Sequence, residues 1–168
     1  DMAYLRDTFD NEICISVNVS SSQILHQNLP QLIQKNLDKY ALQYRCLELE
    51  FRENMLIKQS LKSQQVLNEL ESMGIKLAID DFGTGYSSLS YLKDFPVNTL
   101  KIDQAFVANL GCESGNSIVR AILALATALN LDVVAEGVET HEQADFLTRH
   151  HCNILQGFLL AKPLPLQN

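Results

Sequence analysis

The chain has 168 residues, of which 46% are hydrophobic and 20% charged, and its formal net charge is −7. This composition predicts a globular domain with its own core, and no apolar run approaches the ~20 residues of a membrane helix. The acidic balance argues against binding to a DNA or RNA duplex, because attraction to the phosphate backbone needs clustered Lys and Arg. The four scattered cysteines lack a disulfide pattern, so we expect a cytoplasmic domain, whether or not the parent protein is anchored in a membrane.

Runs rich in β-branched residues alternate with helical patterns along the chain. The predicted strands are Ile13–Val19, Cys46–Phe51, Lys76–Asp80, Thr99–Asp103, Asp132–Ala135 and Ile154–Leu159. The predicted helices are Ser21–Tyr40 with a break expected near Pro30, Met55–Met73, Ser87–Leu92, Ser117–Leu129 and Thr140–His150. Alternation at this spacing indicates parallel βα units. The fold class is therefore α/β, as either a doubly wound sheet or a (β/α) barrel.

Local signals refine the helices. Gly74 and Gly137 stand where a helix and a strand should end, and Asn116 or Ser117 is expected to cap the helix that follows. That helix carries an apolar stripe, which we interpret as core or as a dimer face. The stripe consists of Ala121, Ala124, Leu125 and Ala128.

Polar side chains stand at or near the C-terminal ends of the predicted strands. They are Asn18, Glu50, Asp80 with Asp81, Lys101 with Asp103, Glu136 and, within the sixth strand, Gln156. In a (β/α) barrel this edge is where active sites are assembled from several strands, which favours the barrel. One carboxylate there can simply cap the next helix, but the whole set favours a functional site over coincidental capping.

The oxygen donors of this set suit Mg²⁺, Mn²⁺ or Ca²⁺, and without a cation so many carboxylates would repel one another. Two metals bridged by carboxylates can activate water and hold both oxygens of a phosphodiester. Adjacent side chains on a strand diverge, so Asp81 should act beside Asp80 only if the chain turns there. Lys101 either orients a water or a phosphate oxygen or balances the charge of Asp103, and these roles are compatible.

Six ordered motifs resemble those of the EAL domain family of bacterial cyclic di-GMP phosphodiesterases. They are S-V-N-V-S (16–20) with Gln23, Glu50 with Glu53, D-D-F-G-T-G-Y-S-S-L (80–89), L-K-I-D (100–103), A-E-G-V-E-T (135–140), and Q-G-F (156–158) with K-P-L-P (162–165). The glycine-rich loop 80–89 is the most specific of them, and the match covers nearly the whole chain. The resemblance implies a TIM-like (β/α) barrel that hydrolyses cyclic di-GMP to linear pGpG with Mg²⁺ or Mn²⁺.

The resemblance also implies roles for single residues. Lys101 should assist the catalytic water, Glu53 should hold the glycine-rich loop, and Asp81 should help to bind a second metal. The implied metal ligands are Asn18, Glu50, Asp80, Asp81 and Glu136, and the implied contacts to the dinucleotide are Gln23, Glu139 and Gln156. A homodimer and fusion to sensory or GGDEF-type domains are further expectations.

The chain departs from the family pattern at three places. The E-A-L strand, with its metal-ligating glutamate, does not occur, so we expect residues 1–168 to be a partial EAL domain whose barrel lacks the N-terminal strand and helix and whose last helix is clipped. F-R-E-N (51–54) replaces I-T-E-S, and Arg52 either faces the acidic cluster or lies in solvent beyond the barrel. Phe158 replaces the usual tyrosine.

Three functions compete for this pattern. The retained metal ligands favour a phosphodiesterase, whereas Arg52 and the missing strand favour a degenerate domain that binds cyclic di-GMP without hydrolysing it. An unrelated acidic barrel such as a glycosidase explains the carboxylates but not the ordered motifs. The histidines lie away from the strand ends, and we expect them at the surface or at helix ends.

Overall fold

The computed structural model describes residues 3–5, 13–26, 28–53, 55, 61–85, 92 and 95–165. Within these ranges the strands are β1 (Ile15–Asn18), β2 (Leu47–Arg52), β3 (Lys76–Phe82), β4 (Thr99–Ile102), β5 (Asp132–Ala135) and β6 (Ile154–Leu155). The helices are α1 (Ser21–His26), α2 (Leu29–Lys39), α3 (Leu61–Ser72), α4 (Gln104–Ala108), α5 (Glu113–Ala128) and α6 (His141–Arg149). Five of the six predicted strands agree within two residues at each end. The predicted helix Ser87–Leu92 lies outside the described residues apart from Leu92.

The chain forms two compact units, and β3 runs from the first into the second. The first unit holds residues 1–78 and 88–97. Its strand order is β1-β2-β3, with β1 parallel to β2 and Asn18 opposite Glu50. Helices α1 and α2 pack on α3. The core of this unit is apolar because the strand and helix faces that meet carry large aliphatic and aromatic side chains, including Phe51, Leu67, Leu70 and Leu77.

The break expected near Pro30 within the predicted helix Ser21–Tyr40 is confirmed, since the segment forms two helices, α1 and α2. The second begins at Leu29 after Asn28, and Pro30 stands in its first turn. A proline is tolerated there because the backbone N–H that it lacks has no partner within the helix. Pro30 therefore helps to start α2, which places the break just before it.

The second unit holds residues 79–87 and 98–168, with the strand order β3-β4-β5-β6. The strands β4 and β5 are parallel, with Thr99 opposite Asp132, and β6 continues the sheet with Val134 opposite Ile154. Helix α5 packs on β4 and β5. In each unit the strands follow one another in chain order, whereas a doubly wound sheet reverses its order at one point. The prediction of a (β/α) barrel is thereby confirmed over the doubly wound alternative.

Strand β6 is shorter than predicted, because it ends at Leu155 rather than Leu159. The chain then wraps around Val138, whose N–H donates to Gln156 O at 3.0 Å and whose carbonyl accepts from Leu159 N at 3.0 Å. A side chain at Gly157 would collide with the backbone of Val138. This close approach takes the chain out of the sheet.

Helix α5 begins earlier than predicted and buries a different face. Its N-cap is Cys112, whose Sγ accepts from Gly115 N at 3.4 Å, so the expected cap at Asn116 or Ser117 is wrong. The predicted alanine stripe is largely exposed, which excludes the core interpretation and leaves the dimer face untested. The face that packs against the sheet consists of Val119, Ile122, Leu123 and Ala126. None of the helices in the described ranges is long and apolar enough to cross a membrane.

Candidate metal centre

The backbone turns at Asp81, directly after Asp80 in β3. Asp81 has a φ of 55°, a left-handed conformation that is costly for most residues with a side chain and that aspartate adopts more readily than most. The turn is closed by Thr84, whose Oγ1 and N donate to Asp81 O at 2.8 and 3.4 Å. The left-handed residue breaks the alternation that would send the two carboxylates to opposite faces. The expected turn at Asp81 is confirmed.

Three carboxylates meet beside this turn. One oxygen each of Asp80, Asp81 and Glu136 lies within 4.8 Å of the others, and all three residues are partly buried. Glu136 follows β5, and its N–H donates to Ile102 O at 3.1 Å, which extends the β4–β5 ladder to the point where the site forms. Oxygen donors at this spacing are the ligands that a hard divalent cation prefers.

Lys101 brings a positive charge into the carboxylate cluster. Its Nζ lies 2.6 Å from Glu136 Oε1 and 3.5 Å from Asp80 Oδ1, and its side chain is only 7% exposed. Asp103 has another role, because its Oδ1 accepts from Ala105 N at 2.7 Å and caps α4. The interpretation that Lys101 balances the charge of Asp103 is therefore wrong, and the lysine instead joins β4 to the carboxylates of β3 and β5.

One oxygen of the cluster, Oδ1 of Asp80, is especially suited to bind a cation. Asp80 Oδ1 is buried and, within the described ranges, receives no hydrogen bond. Lys101 Nζ forms an ion pair with it at 3.5 Å but does not satisfy it as a donor. A buried carboxylate oxygen without a donor is costly, since it has lost its hydration. A divalent cation held by Asp80, Asp81 and Glu136 would remove that cost.

The segment after Glu136 is held closely against its neighbours. Gly137 has a φ of 70°, and a Cβ at this position would lie 2.6 Å from Gln104 Cβ. The backbone of Gln156 donates to Ala135 O at 2.9 Å and accepts from Val138 N at 3.0 Å. These contacts fix the chain on both sides of Glu136. They also confirm that the backbone turns at Gly137, as predicted.

A residue that the sequence reasoning missed, Gln143, ties this segment to α4. Its Oε1 accepts from the N–H groups of Glu139 and Thr140 at 2.8 and 3.0 Å, and its own N donates to Thr140 Oγ1 at 3.2 Å. Its Nε2 donates to Val107 O at 3.2 Å. The T-x-x-Q pattern that begins α6 is a capping-box signature, so the cap was visible in the sequence although the link to α4 was not.

The other two predicted ligands, Asn18 and Glu50, lie opposite each other where β1 and β2 end. Val19 N donates to Glu50 O at 2.9 Å and continues the ladder. Glu50 is 6% exposed, an unusual burial for a carboxylate, whereas Asn18 is exposed. Both residues belong to the first unit and the carboxylate cluster belongs to the second. Their role as ligands stays a prediction.

The remaining predicted site residues of the first unit have varied surroundings. Glu53 is 2% exposed, but the loop that it is predicted to hold lies partly outside the described residues. Gln23 uses its Oε1 locally, accepting from Ser20 N and Oγ at 2.9 and 2.8 Å. Arg52 is the last residue of β2, and its side chain is exposed. Glu139 and Gln156 in the second unit are exposed too, as a contact to a ligand requires.

The family model described as "EAL domain" matches residues 1–163. The chain is 46% identical over 154 residues to the bifunctional diguanylate cyclase/cyclic di-GMP phosphodiesterase MucR of Pseudomonas aeruginosa. The matched region covers 91% of this chain and 22% of MucR. The chain thus spans about a fifth of the length of the curated relatives that it matches.

Solved structures agree with the sequence match. The MucR phosphodiesterase in complex with c-di-GMP has a TM-score of 0.92 at 44% identity, covering 98% of this chain and 67% of that one. The manganese/cy-diGMP complex of BlrP1 from Klebsiella pneumoniae has a TM-score of 0.83 at 29% identity, covering 94% and 41%. The matched family model is consistent with the parallel strands in chain order and with the acidic residues at their ends. The chain belongs to the EAL domain family, whose fold is a TIM-like (β/α) barrel.

Proposed function

We propose that this chain is the catalytic part of a metal-dependent phosphodiesterase that hydrolyses one phosphodiester of cyclic di-GMP to give linear pGpG. The observation that carries the proposal is the cluster of Asp80, Asp81 and Glu136 with Lys101 embedded in it. The MucR and BlrP1 structures with cyclic di-GMP support the choice of substrate.

Mg²⁺ or Mn²⁺ bound to these carboxylates would supply Lewis-acid chemistry and lower the pKa of a water. Asp80, Asp81 and Glu136 would hold it, and Glu50 and Asn18 are proposed as further ligands. The manganese in the BlrP1 complex supports a divalent cation of this kind. A second metal would depend on Asp81, because its turn places another carboxylate beside Asp80.

The protein's own groups then orient the reaction. The ammonium group of Lys101, 2.6 Å from Glu136, is placed to hold the attacking water and to stabilise negative charge on a phosphate oxygen. Glu139, Gln156 and Gln23 would contact the guanine bases or riboses of the ligand. Glu53 would hold the glycine-rich loop 80–89, and its burial is consistent with a structural role of this kind.

The parent protein is proposed to carry further domains, since the match to MucR covers 22% of that bifunctional cyclase and phosphodiesterase. A homodimer and a cytoplasmic location complete the proposal. None of the four cysteines forms a disulfide, which suits a reducing compartment.

The test measures pGpG formation from cyclic di-GMP with Mn²⁺, using this chain and a version extended at its N-terminus through the next strand of its natural sequence. Asp80→Asn and Glu136→Gln should each lower the rate by at least about a hundredfold, because each removes charge from the metal site. Glu71→Gln, which removes an exposed carboxylate on α3, is the matched control and should leave the rate unchanged.

The second candidate, a receptor that binds cyclic di-GMP without hydrolysing it, is favoured by Arg52, a guanidinium in the position of the family's threonine. Tight binding by the extended version without any pGpG would establish the receptor and exclude the enzyme. Restored turnover in Arg52→Thr of that version would assign the loss of activity to this arginine.

A further inference from the structure

A groove in the second unit is lined by side chains of α5 and of the C-terminal end of α6. Its volume is about 510 Å³, and its apolar floor comes from Leu123, Ala124 and Ala128. Thr127 and four basic side chains complete the lining, namely Arg120, Arg149, His150 and His151. The size is within the ~300–1,000 Å³ of small-molecule pockets.

The groove is separate from the acidic cluster. It is formed by residues 120–128 of α5 and by residues 149–151 at the end of α6, and these helices lead into the beginnings of β5 and β6. The carboxylates of Asp80 and Glu136 stand at the opposite, C-terminal ends of the strands. A ligand in the groove therefore does not compete for the metal ligands, and it can bind whether or not the acidic cluster hydrolyses a phosphodiester.

Within the described residues, no ion pair neutralises the two arginines of the groove. Arg120 donates to Ser117 Oγ at 3.2 Å and Arg149 to Asp145 O at 3.1 Å, both uncharged acceptors. Among the residues that the structure describes, neither guanidinium lies within ion-pair distance of a carboxylate. This concentration of positive charge is notable in a chain with a net charge of −7.

Helix-end electrostatics explain only part of this cluster. Arg149 and His150 stand at the C-terminus of α6, where cations stabilise the helix. Arg120 lies in the middle of α5, so the same explanation does not apply to it. His151 adopts a φ of 63° at a position where a glycine would be the favourable residue. The imidazole of His150 is held edge-on by the ring of Phe146, with centroids 4.4 Å apart.

We propose that the groove binds a phosphate monoester with an apolar or aromatic body. Two guanidinium groups can hold a doubly charged phosphate through bidentate hydrogen bonds, and the permanent charge of arginine makes this independent of its own protonation. The imidazoles of His150 and His151 add donors at the rim. The floor of Leu123, Ala124 and Ala128 accepts the apolar body and supplies affinity that inorganic phosphate lacks.

The test uses phenyl phosphate, inorganic phosphate and phenol as probes of the whole chain, by calorimetry and amide NMR with EDTA present so that the acidic cluster holds no metal. Phenyl phosphate should bind about tenfold more tightly than inorganic phosphate and should shift amide signals of residues 120–128 and 149–151. Arg120→Gln and Arg149→Gln should each weaken it at least about fivefold. Arg45→Gln, an exposed arginine of the first unit, is the matched control and should leave binding unchanged.

A second variant separates the two parts of the groove. Ala124→Leu fills the exposed floor without changing charge, so it should weaken phenyl phosphate and leave inorganic phosphate unaffected. Unaltered binding in both arginine variants, or equal weakening in Arg45→Gln, would overturn the proposal. A dimer in light scattering that Arg120→Gln converts to monomers would also overturn it, because the groove would then be an interface between two copies of the chain.

Discussion

The Nζ atom of Lys101 lies 2.6 Å from Oε1 of Glu136, and the two side chains are only 7% and 20% exposed. An ammonium group beside Glu136 and Asp80 offsets part of the repulsion within the carboxylate cluster. Lys101 therefore has two opposite effects on metal binding. Its positive charge holds the carboxylate ligands together, and the same charge competes with the cation for them.

Replacing Lys101 by methionine should destabilise the metal-free chain by roughly 1–3 kcal/mol, because it leaves partly buried carboxylates without their cation. Mn²⁺ should recover more stability in Lys101→Met than in the unaltered chain. Urea unfolding with EDTA and with Mn²⁺ measures both effects. Lys35→Met, at an exposed position of α2, should change stability by less than about 0.5 kcal/mol. A Lys101 variant as stable as this control would contradict the prediction.

Two substitutions at Asp81 separate its backbone from its carboxylate. Asp81→Ala and Asp81→Gly both remove the carboxylate, but only glycine adopts the φ of 55° without strain. The glycine variant should therefore be more stable than the alanine variant by about 1 kcal/mol. Both should bind Mn²⁺ more weakly in a calorimetric titration. Equal stability of the two variants would mean that the left-handed turn costs nothing.

Gly137 and Gly111 provide a matched pair for the contact beside Glu136. Both have positive φ, 70° and 103°, but a Cβ at Gly137 would meet Gln104 at 2.6 Å, while nothing lies within 4 Å of one at Gly111. Gly111→Ala should cost about 1 kcal/mol from backbone strain alone. Gly137→Ala should cost a further ~1–3 kcal/mol from overpacking and should weaken metal binding. Chemical denaturation and metal titration of both variants test this difference.

Gln143 allows its two functions to be measured separately. Gln143→Glu keeps an oxygen for the N–H groups of Glu139 and Thr140 but cannot donate to Val107 O, whereas Gln143→Ala loses all three bonds. We expect a loss of about 1–2 kcal/mol for alanine and about half of it for glutamate. If the link to α4 also positions Glu136, both variants should lower Mn²⁺ affinity. A metal affinity that changes in neither would limit Gln143 to capping.

Cys112 should react with alkylating reagents at a lower pH than Cys14 does. Hydrogen bonds from Ser114 and from Gly115 N–H lower the pKa of Cys112, whereas partial burial and then the Glu48 carboxylate raise the pKa of Cys14. Iodoacetamide should therefore modify Cys112 at a lower pH, which peptide mass spectrometry can follow. Because folding lowers this pKa, its contribution to stability is present above the unfolded thiol's pKa and is lost as the pH falls through the folded value. Faster alkylation of Cys14 would contradict the assignment.

The strand-end residues were predictable because their position follows from strand periodicity and parallel winding alone. Asp80, Asp81, Lys101 and Glu136 do come together, as the pattern indicated. The pairing of Lys101 with Asp80 and Glu136 was not predictable. Asp103 is only two residues from Lys101, and a sequence cannot tell whether such an aspartate forms an ion pair or caps a helix. The cap at Asp103 depends on where α4 begins, and α4 has no counterpart among the predicted helices.

Two other errors have a common origin in small residues. The exposed alanines of α5 read as an apolar stripe, but alanine favours helices wherever it lies, and the larger Val119, Ile122 and Leu123 mark the buried face. The early end of β6 depends on Gly157 against Val138, a contact between segments that are distant in the sequence. Neither error could be corrected without knowing which surfaces meet.

The pairing of strands in chain order has a consequence for how each unit acquires its structure. Every ladder joins consecutive strands, so the cross-strand bond of Ser16 to Glu48 spans only 32 residues, and that of Val133 to Asn153 only 20. By the logarithmic dependence on loop length, closing loops of this length costs about 1.5–2 kcal/mol less than bringing together the two ends of the chain. The loop between Val133 and Asn153 is the shorter of these two, and Glu136 lies within that loop. Nucleation there would place one wall of the acidic cluster early, while β3 and its two aspartates are added to a surface already formed.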